Sequence, residues 1–421
     1  MKFLHAADIH LDSPLRGLAR YQGAPVDEIR GATRRAFENL VELARDEAVD
    51  FLLLAGDLYD GDWRDYNTGL FFTGQMRRLA EAGIPVFVIA GNHDAASQIT
   101  RALRPPDNTT VFPGSRPRTV RLESLGVAIH GQSFASRSVT EDLAAGYPPP
   151  VTELFNIGLL HTCLDGRPGH EPYAPCSLEG LRNHGYQYWA LGHVHRREVV
   201  AEDPWVVFPG NLQGRNARET GPKGASLVQV EEGRVASVEH RALDVVRWHR
   251  EAVDLGGAAD TGEVLDRIGR ALERAAAGAD GRLLALRLEL TGATLLSPRL
   301  RADPEWLAGQ CRALAEEAGG GGIWVERVKP ATRSPGEDAC ALLERDDAFG
   351  GLLRAVRDLE LDGARLQALA AEFGDLAQRL PAGLRSGPEG FDPSEPATVA
   401  AALDDARDLL LERLLSGGSG Q

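Results

Sequence analysis

Cysteine is scarce in this chain. There are four in 421 residues, Cys163, Cys176, Cys311 and Cys340, and no C-x-x-C spacing joins any two. That scarcity excludes a disulfide framework or a zinc ribbon and reads as reduced structural thiols in a cytoplasmic protein. Long apolar runs are missing too: no stretch of 18 apolar residues occurs, so no segment is expected to span a membrane. The opening MKFLHAADIH reaches charged Asp8 before a secretory apolar region can form, so a signal peptide is not expected. A G-x-x-x-x-G-K-[ST] loop is absent, which leaves any ATP-driven step to a partner. Excess positive charge is also lacking. Lys and Arg number 46 against 61 Asp and Glu, a net −15, which argues against a globally basic nucleic-acid binder. Bound divalent ions would still make the potential positive where a phosphate approaches, because local charge outweighs the total.

What the chain does contain is ordinary globular composition, 43% hydrophobic and 25% charged, with room for roughly two or three domains. Within it, potential metal ligands stand at the ends of short apolar runs. In order they are Asp8 and His10 (FLHAADIH), Asp57 (FLLLAGD), Asn92 (VFVIAGNHD), His161 (NIGLLH), and His193 and His195 (YWALGHVH). Each run is short, apolar and partly β-branched, and stops at Gly or a polar residue. It therefore reads as a buried strand whose C-terminal end presents ligands, where sites form in sheets flanked by helices. Oxygen and imidazole donors without thiolate suit Mn, Fe, Zn or Mg. The set is too large for one ion and about right for two.

Residues 1 to 245 alternate strand and helix. Ile29, Thr33, Phe37, Leu40 and Ala44 mark an amphipathic helix over Val26–Asp46, and Asp65–Ala82 is a second. Strands follow at Thr119–Leu122 and Val127–His130, then near Ile157, Tyr188, Val206, Leu227 and Val235. The later ones are close together, which predicts antiparallel pairing in a second sheet. The expected core is a two-sheet β sandwich flanked by helices. A boundary falls near Trp248–Leu255. Residues 246–335 then read helix (Thr261–Ala277), strand (Arg282–Thr291), helix (Pro304–Ala318), strand (Ile323–Lys329), a small α/β capping domain. After a Pro-containing link at Pro330–Asp338, residues 336–421 are read as a helical, partner-binding region. In it Thr398–Leu415 is amphipathic and the tail SGGSGQ is unstructured.

The spacing carries chemistry. In a strand, residues two apart share a face, so D-x-H and H-x-H each present two ligands together. Gly56 lets the backbone come close to Asp57, whose carboxylate can bridge two ions. Asn92 offers a neutral oxygen, and His161 completes the second ion's shell. Two ions about 3.5–4 Å apart can clamp the non-bridging oxygens of a phosphoester for in-line attack. His93, next to Asn92, can protonate the leaving oxygen or steady the transition state, and Asp94 can hold its tautomer. Cys163, two residues after His161, is not read as a nucleophile. In the Gly-rich segment Pro209–Gly224, Asn211 and Arg215 are candidate substrate contacts. A structural salt bridge between Arg215 and Glu219 is the equal alternative.

DIHLD, GDLYD, GNHD, LLHT and GHVH together resemble the calcineurin-like metallophosphoesterase superfamily over about residues 1–245. HAADIHLDSPL, FLLLAGDLYD and WALGHVH, followed by FPGNLQGRNARETGPKG, are similar to bacterial DNA repair exonucleases of the SbcD type, closest to the YhaO-type branch. The resemblance implies Asp8, His10, Asp57, Asn92, His161, His193 and His195 as ligands of two ions, usually manganese, with His93 catalytic. It implies DNA as substrate and an SbcC-like SMC-type ATPase as the partner of the C-terminal helices; a homodimer stays open. One position departs. Many of these nucleases carry a histidine three residues after the bridging aspartate, where this chain has Asp60, and a carboxylate gives a DNA strand no such contact. Two rival readings remain. One is a phosphodiesterase or phosphatase of nucleotides or other small phosphoesters. The other is a non-catalytic scaffold, disfavoured because every ligand position is filled. GDLYDGD lacks the Arg of the protein phosphatase GD-x-V-D-R-G motif.

Overall fold

The computed structural model describes residues 1–13, 23–60, 66–96, 105–165, 173–333, 347–357, 363–380, 391–403, 406 and 410. The tail SGGSGQ, and most of the link at Pro330–Asp338, lie outside them. The expected helix over Thr398–Leu415 lies largely outside them as well; residues 398–403 are helical. By its contacts the chain divides into two compact units. One is Met1–Ala252 with Ile268–Glu289 and Ala308–Lys329; the other is Val253–Arg267 with Leu290–Leu307 and Pro330–Gln421.

The first unit is built on strands β1 (Lys2–Ala6), β2 (Phe51–Ala55), β3 (Val86–Ile89), β4 (Thr109–Val111), β5 (Arg118–Leu122), β6 (Val127–Gly131), β7 (Phe155–His161), β8 (Tyr188–Gly192), β9 (Glu198–Glu202), β10 (Trp205–Phe208), β11 (Gly224–Glu231) and β12 (Arg234–Ala242). They form two six-stranded sheets, β12-β11-β1-β2-β3-β4 and β5-β6-β7-β8-β10-β9. β1 to β4 pair in parallel, as do β6, β7, β8 and β10. β2 shows why: every residue of FLLLA is buried, so it must be covered on both faces, as parallel strands are. Phe51 and Leu53 point between the sheets against Ile157, Leu159 and Tyr188. Leu52 and Leu54 point the other way, against Phe37, Leu40 and Val41 of a helix Ala32–Asp46 and Phe72, Met76 and Leu79 of a helix Tyr66–Glu81. The outer face of the second sheet is closed by Tyr147, Leu181 and Tyr186 over Trp189 and Phe208. Each such buried Leu or Phe stabilises by roughly 1.5–3 kcal/mol relative to exposure.

The sandwich flanked by helices is therefore present, and two local expectations need correction. The helix expected over Val26–Asp46 divides at Gly31, although Ile29, Thr33, Phe37, Leu40 and Ala44 are all buried as its periodicity requires. The late antiparallel hairpin β11–β12 joins the first sheet beside β1, not the second. The reason is its alternation: Ala225 and Leu227 fit the helix-covered core while Val228 and Val230 fit the space between sheets. The stretch at Trp248–Leu255 lies mostly within a strand that the sequence reading did not name, β13 (Val246–Asp254). It forms a three-stranded sheet with β14 (Leu283–Thr291) and β15 (Ile323–Pro330), order β13-β14-β15. Trp248 and Trp324 meet edge to face at 5.8 Å, beside Ile29 and Ala217. In the second unit, buried Ser297 and Thr332 share a hydrogen bond of 3.0 Å, and Thr294 donates to the Ala258 carbonyl at 2.9 Å. No helix among the described residues is long and apolar enough to cross a membrane.

Candidate metal centre

The candidate ligands collect at the carboxyl ends of β1, β2 and β3 in one sheet and of β7 and β8 in the other. Their side chains do not converge in the way that strand alternation suggested. β1 ends at Ala6, and Asp8 and His10 have left-handed φ of 51° and 47°. This turn is held beside the one after β2: Asp8 donates its amide to Gly56 O at 3.0 Å, and Ile9 and His10 donate theirs to Asp57 O at 2.9 and 3.0 Å. Asp57 (φ 53°) and His193 (φ 99°) are likewise past their strands. Positive φ is costly for a residue with a Cβ and tends to collect at functional turns. His161 alone is still in a strand, and Asn92 opens the short helix Asn92–Ala96. Two glycines make room for the crossing. A Cβ on Gly56 would lie 2.5 Å from His161 Nδ1, and one on Gly192 would collide with the Ala55 carbonyl.

Among the expected ligands two groups of donors result, and His10 also joins Asp60 and His93 in a third. His10 Nε2 and His195 Nε2 are 3.2 Å apart, with Asp8 Oδ1 3.8 Å from the latter. His161 Nε2 is 3.1 Å from Asn92 Oδ1 and 3.5 Å from Asp57 Oδ2, which is also 4.0 Å from His10 Nε2. Asp8, Asp57 and His161 form one three-donor group and Asp8, His10 and His195 another, so Asp8 belongs to both. Ligands about 2.1 Å from one ion stand roughly 3 Å from each other, so these spacings suit coordination. His193 is not in a three-donor group among the described residues. Its ring packs edge-on against His161 (5.3 Å) and Tyr173 (5.8 Å), while its amide donates to both oxygens of Asp8.

The tautomers test the fit. His161 Nδ1 lies 2.9 Å from the Ala55 carbonyl and His195 Nδ1 lies 2.8 Å from Glu219 Oε1, so each ring donates there and turns a lone pair inward at Nε2. Burial lowers the pKa of His10 to about 3 and lowers that of His161. Both shifts favour the neutral imidazole, the ligand form. Burial and the charge of Asp57 push the Asp8 carboxyl up. Burial opposes charge on Asp57 too, but His161, His10 and His93 outweigh it and hold its pKa low. Inward lone pairs beside crowded buried carboxylates are a set that a cation would relieve.

Around these donors lie groups that sequence reasoning placed differently. Asp94 does not reach the His93 ring: its carboxylate accepts the amides of Leu58, Tyr59 and Gly91 at 3.1, 2.9 and 3.0 Å, tying two ligand turns together. The carboxylate that does reach His93 is Asp60, with Oδ1 3.0 Å from His93 Nδ1 and 3.6 Å from His10 Nδ1. Ser13 Oγ donates to its other oxygen at 2.6 Å. Burial works against charge on Asp60, but the nearby rings of His10 and His93 and the hydroxyl of Ser13 hold it well below the usual carboxylate range. Burial would also keep His93 neutral, yet Asp60 and Asp57 raise its pKa. The His93 amide donates to Asp57 Oδ1 at 2.9 Å. Asn211 is fully buried and donates to Gln213 O and Glu219 Oε2 at 2.8 and 2.9 Å. Arg215 makes the Glu219 ion pair at 3.2 Å. Sequence reasoning missed Glu219 as the partner of His195 and Asp60 as the partner of His93. Asp60 had a signal, since it was the one position that departed from the nuclease pattern.

Comparison with known proteins agrees with this architecture. The family model described as calcineurin-like phosphoesterase matches residues 1–197, and that described as metallophosphoesterase YhaO, middle domain, matches residues 248–333. The chain is 35% identical over 364 residues to metallophosphoesterase YhaO of Bacillus subtilis, covering 85% of this chain and 87% of that protein. It is 26% identical over 298 residues to the DNA double-strand break repair protein Mre11 of Methanopyrus kandleri, covering 64% of this chain and 63% of that protein. For Mre11 of Aeropyrum pernix the identity is 27% over 291 residues, covering 65% and 68%.

Proposed function

The chain belongs to the calcineurin-like phosphoesterases, in the family of the metallophosphoesterase YhaO, and from that premise we propose that it is a two-metal phosphodiesterase that cuts DNA in repair. Membership makes it a metal-dependent phosphoester hydrolase. The observation that carries the reading is the approach of two buried ring nitrogens, His10 and His195 Nε2, to 3.2 Å. Two ring nitrogens approach this closely when a proton or a cation lies between them, and His195, whose Nδ1 donates to Glu219, turns a lone pair to that point. The DNA substrate and the repair role are supported by likeness to relatives named as double-strand break repair proteins. Manganese is the proposed metal. The proposed ligands are Asp8, His10, Asp57, Asn92, His161, His193 and His195.

When bound, such ions polarise a phosphoester and supply a nucleophile at neutral pH. The chain's own residues do the rest. Asp57 can face both donor groups, through Oδ2 toward His161 and His10. His93 gives Nδ1–H to Asp60, so a proton on Nε2 is the one free to move to a leaving oxygen. Its raised pKa favours the charged ring that such a donor needs. Glu219 fixes the rotation of His195.

The proposed layout is a nuclease core at 1–245, a capping domain at 246–335 and a helical region at 336–421 that binds an SbcC-like ATPase. Asp60 favours a second reading. A half-buried carboxylate paired with His93 puts negative charge where many nucleases carry histidine, which suits nucleotides or other small phosphoesters better than duplex ends. Incubation of the purified chain, with Mn²⁺ or with EDTA, separates the two. The substrates are labelled single- and double-stranded DNA and a chromogenic small phosphodiester. Metal-dependent DNA cleavage supports the nuclease, and turnover of the small ester alone supports the second reading. Silence on all of them would leave a scaffold.

A further inference from the structure

Arg215 has a more constrained position than a phosphate contact requires. Its side chain is only 17% exposed, with Nη2 3.2 Å from Glu219 Oε1 and Nη1 3.9 Å from Asp60 Oδ2. Its amide donates to Glu219 Oε2 at 2.7 Å. Nη2 is also 3.3 Å from His195 Nδ1, because both nitrogens donate toward the same oxygen of Glu219. Each of these carboxylates holds a ring of the centre. Glu219 holds His195 at 2.8 Å, and Asp60 holds His93 at 3.0 Å. One guanidinium thus stands between the carboxylate that turns a candidate ligand inward and the one that turns the candidate acid. Its charge is permanent and its fork is planar, so it can face two carboxylates in fixed geometry where an ammonium would collapse onto one. Asp8 and Asp57 add two more acids nearby, and a cation removed from this group would leave like charges free to push the rings out of place.

We propose that Arg215 is a positioning residue. It clasps Glu219 to Asp60, and through them sets the angles of His195 and His93, rather than binding a substrate phosphate. The role in catalysis rests on the phosphodiesterase reading; the role in metal binding does not.

The two roles for Arg215 predict different losses. If Arg215 held a phosphate equally in the ground and transition states, its removal would raise KM evenly across substrates. Without the clasp, metal binding weakens and kcat falls, most of all for substrates whose leaving group needs a proton. The test uses full-length Arg215→Lys and Arg215→Met. Mn²⁺ affinity is measured by calorimetry without substrate, and kinetics on aryl phosphodiesters that span leaving-group pKa. The clasp predicts Mn²⁺ affinity down roughly 10–100-fold in both variants, as for other groups that orient metal ligands. It further predicts kcat falling most steeply for poor leaving groups, with KM nearly constant. Glu219→Gln should reproduce the loss of Mn²⁺ affinity, and Asp60→Asn the leaving-group dependence. A large rise in KM with kcat and Mn²⁺ affinity intact would assign Arg215 to substrate and overturn the proposal. So would a lysine variant that matches wild type in both Mn²⁺ affinity and kcat. Should Arg215→Met fail to fold, Arg215→Lys decides. A wild type inert on every phosphoester would defeat the functional reading, while the calorimetry would still decide the clasp.

Discussion

The carboxylate of Asp57 has one oxygen engaged by the His93 amide at 2.9 Å and the other facing His161 Nε2 at 3.5 Å and His10 Nε2 at 4.0 Å. It therefore stands beside both donor groups and the His93 backbone at once. Asp57→Asn keeps the shape and removes the charge. In a poorly solvated site that charge attracts two dications, so both metals should bind more weakly and turnover should fall by orders of magnitude while the fold persists. Metal analysis that finds two ions bound with unchanged affinity would sink the assignment. His93 makes the opposite prediction. Its ring contacts Asp60 and, at 5.0 Å between centroids, His10, and it is about one third exposed. His93→Ala should therefore retain its metals and lose roughly 10²–10⁴-fold in kcat, less for esters with good leaving groups. An equal loss across leaving groups, or a loss of metal, contradicts a role as proton donor.

At the scale of elements, ligand geometry depends on how closely two sheets approach at their carboxyl ends. Gly192, the last residue of β8, is pressed against the Ala55 carbonyl at the end of β2, and its missing Cβ would also lie 2.8 Å from His161 Nδ1. Gly192→Ala should force the two strand ends apart, at a cost of roughly 1–3 kcal/mol, and weaken metal binding through His161. Gly74→Ala is the natural contrast. It lies inside the helix Tyr66–Glu81 with nothing within 4 Å of its Cβ position, so it should gain about 0.5–1 kcal/mol. Urea denaturation of both variants checks the pair of signs, and a Gly192→Ala protein as stable as wild type would contradict the close approach. This scale also marks how far the sequence could be read. Apolar runs such as FLLLA announced the strands, and the residues after them announced the centre, because burial and donor chemistry are local properties. Left-handed turns at Asp8, His10 and Asp57 were hidden, since a D-x-H pattern reads the same in an extended strand. The engagement of Asp94 with three amides, and of Asp60 with His93, was hidden as well. Those contacts depend on which loops meet, and residues 35 or 33 positions apart leave no periodic trace. β13 was missed because charged residues are interspersed along it and Arg250, Ala252 and Asp254 are exposed, so VRWHREAVD lacks the apolar continuity that marked the core strands.

For the whole molecule, the net charge of −15 and the burial of acids at one point lead to a single expectation about stability. Asp8 and Asp57 are both buried at the strand ends, 1% and 2% exposed, and Asp8 is raised by burial and by the charge of Asp57. Without a cation, folding must bring these groups together against their repulsion and out of water. With one bound, the same donors are satisfied. Metal should therefore stabilise the folded chain by mass action, by about 2.7 kcal/mol for one site at a hundred times its Kd, less whatever the histidines of the unfolded chain retain. Thermal melts of wild type should shift upward with Mn²⁺ concentration and downward in EDTA. The shift should be much smaller in Asp57→Asn, whose weaker sites leave less binding energy to couple to folding. Other acidic surface groups supply an internal control, since weak binding to them would move both proteins alike. Melting curves of wild type that coincide in Mn²⁺ and in EDTA would mean that the buried acids are not a cation site. The centre would then have to be read as a structural hydrogen-bond network.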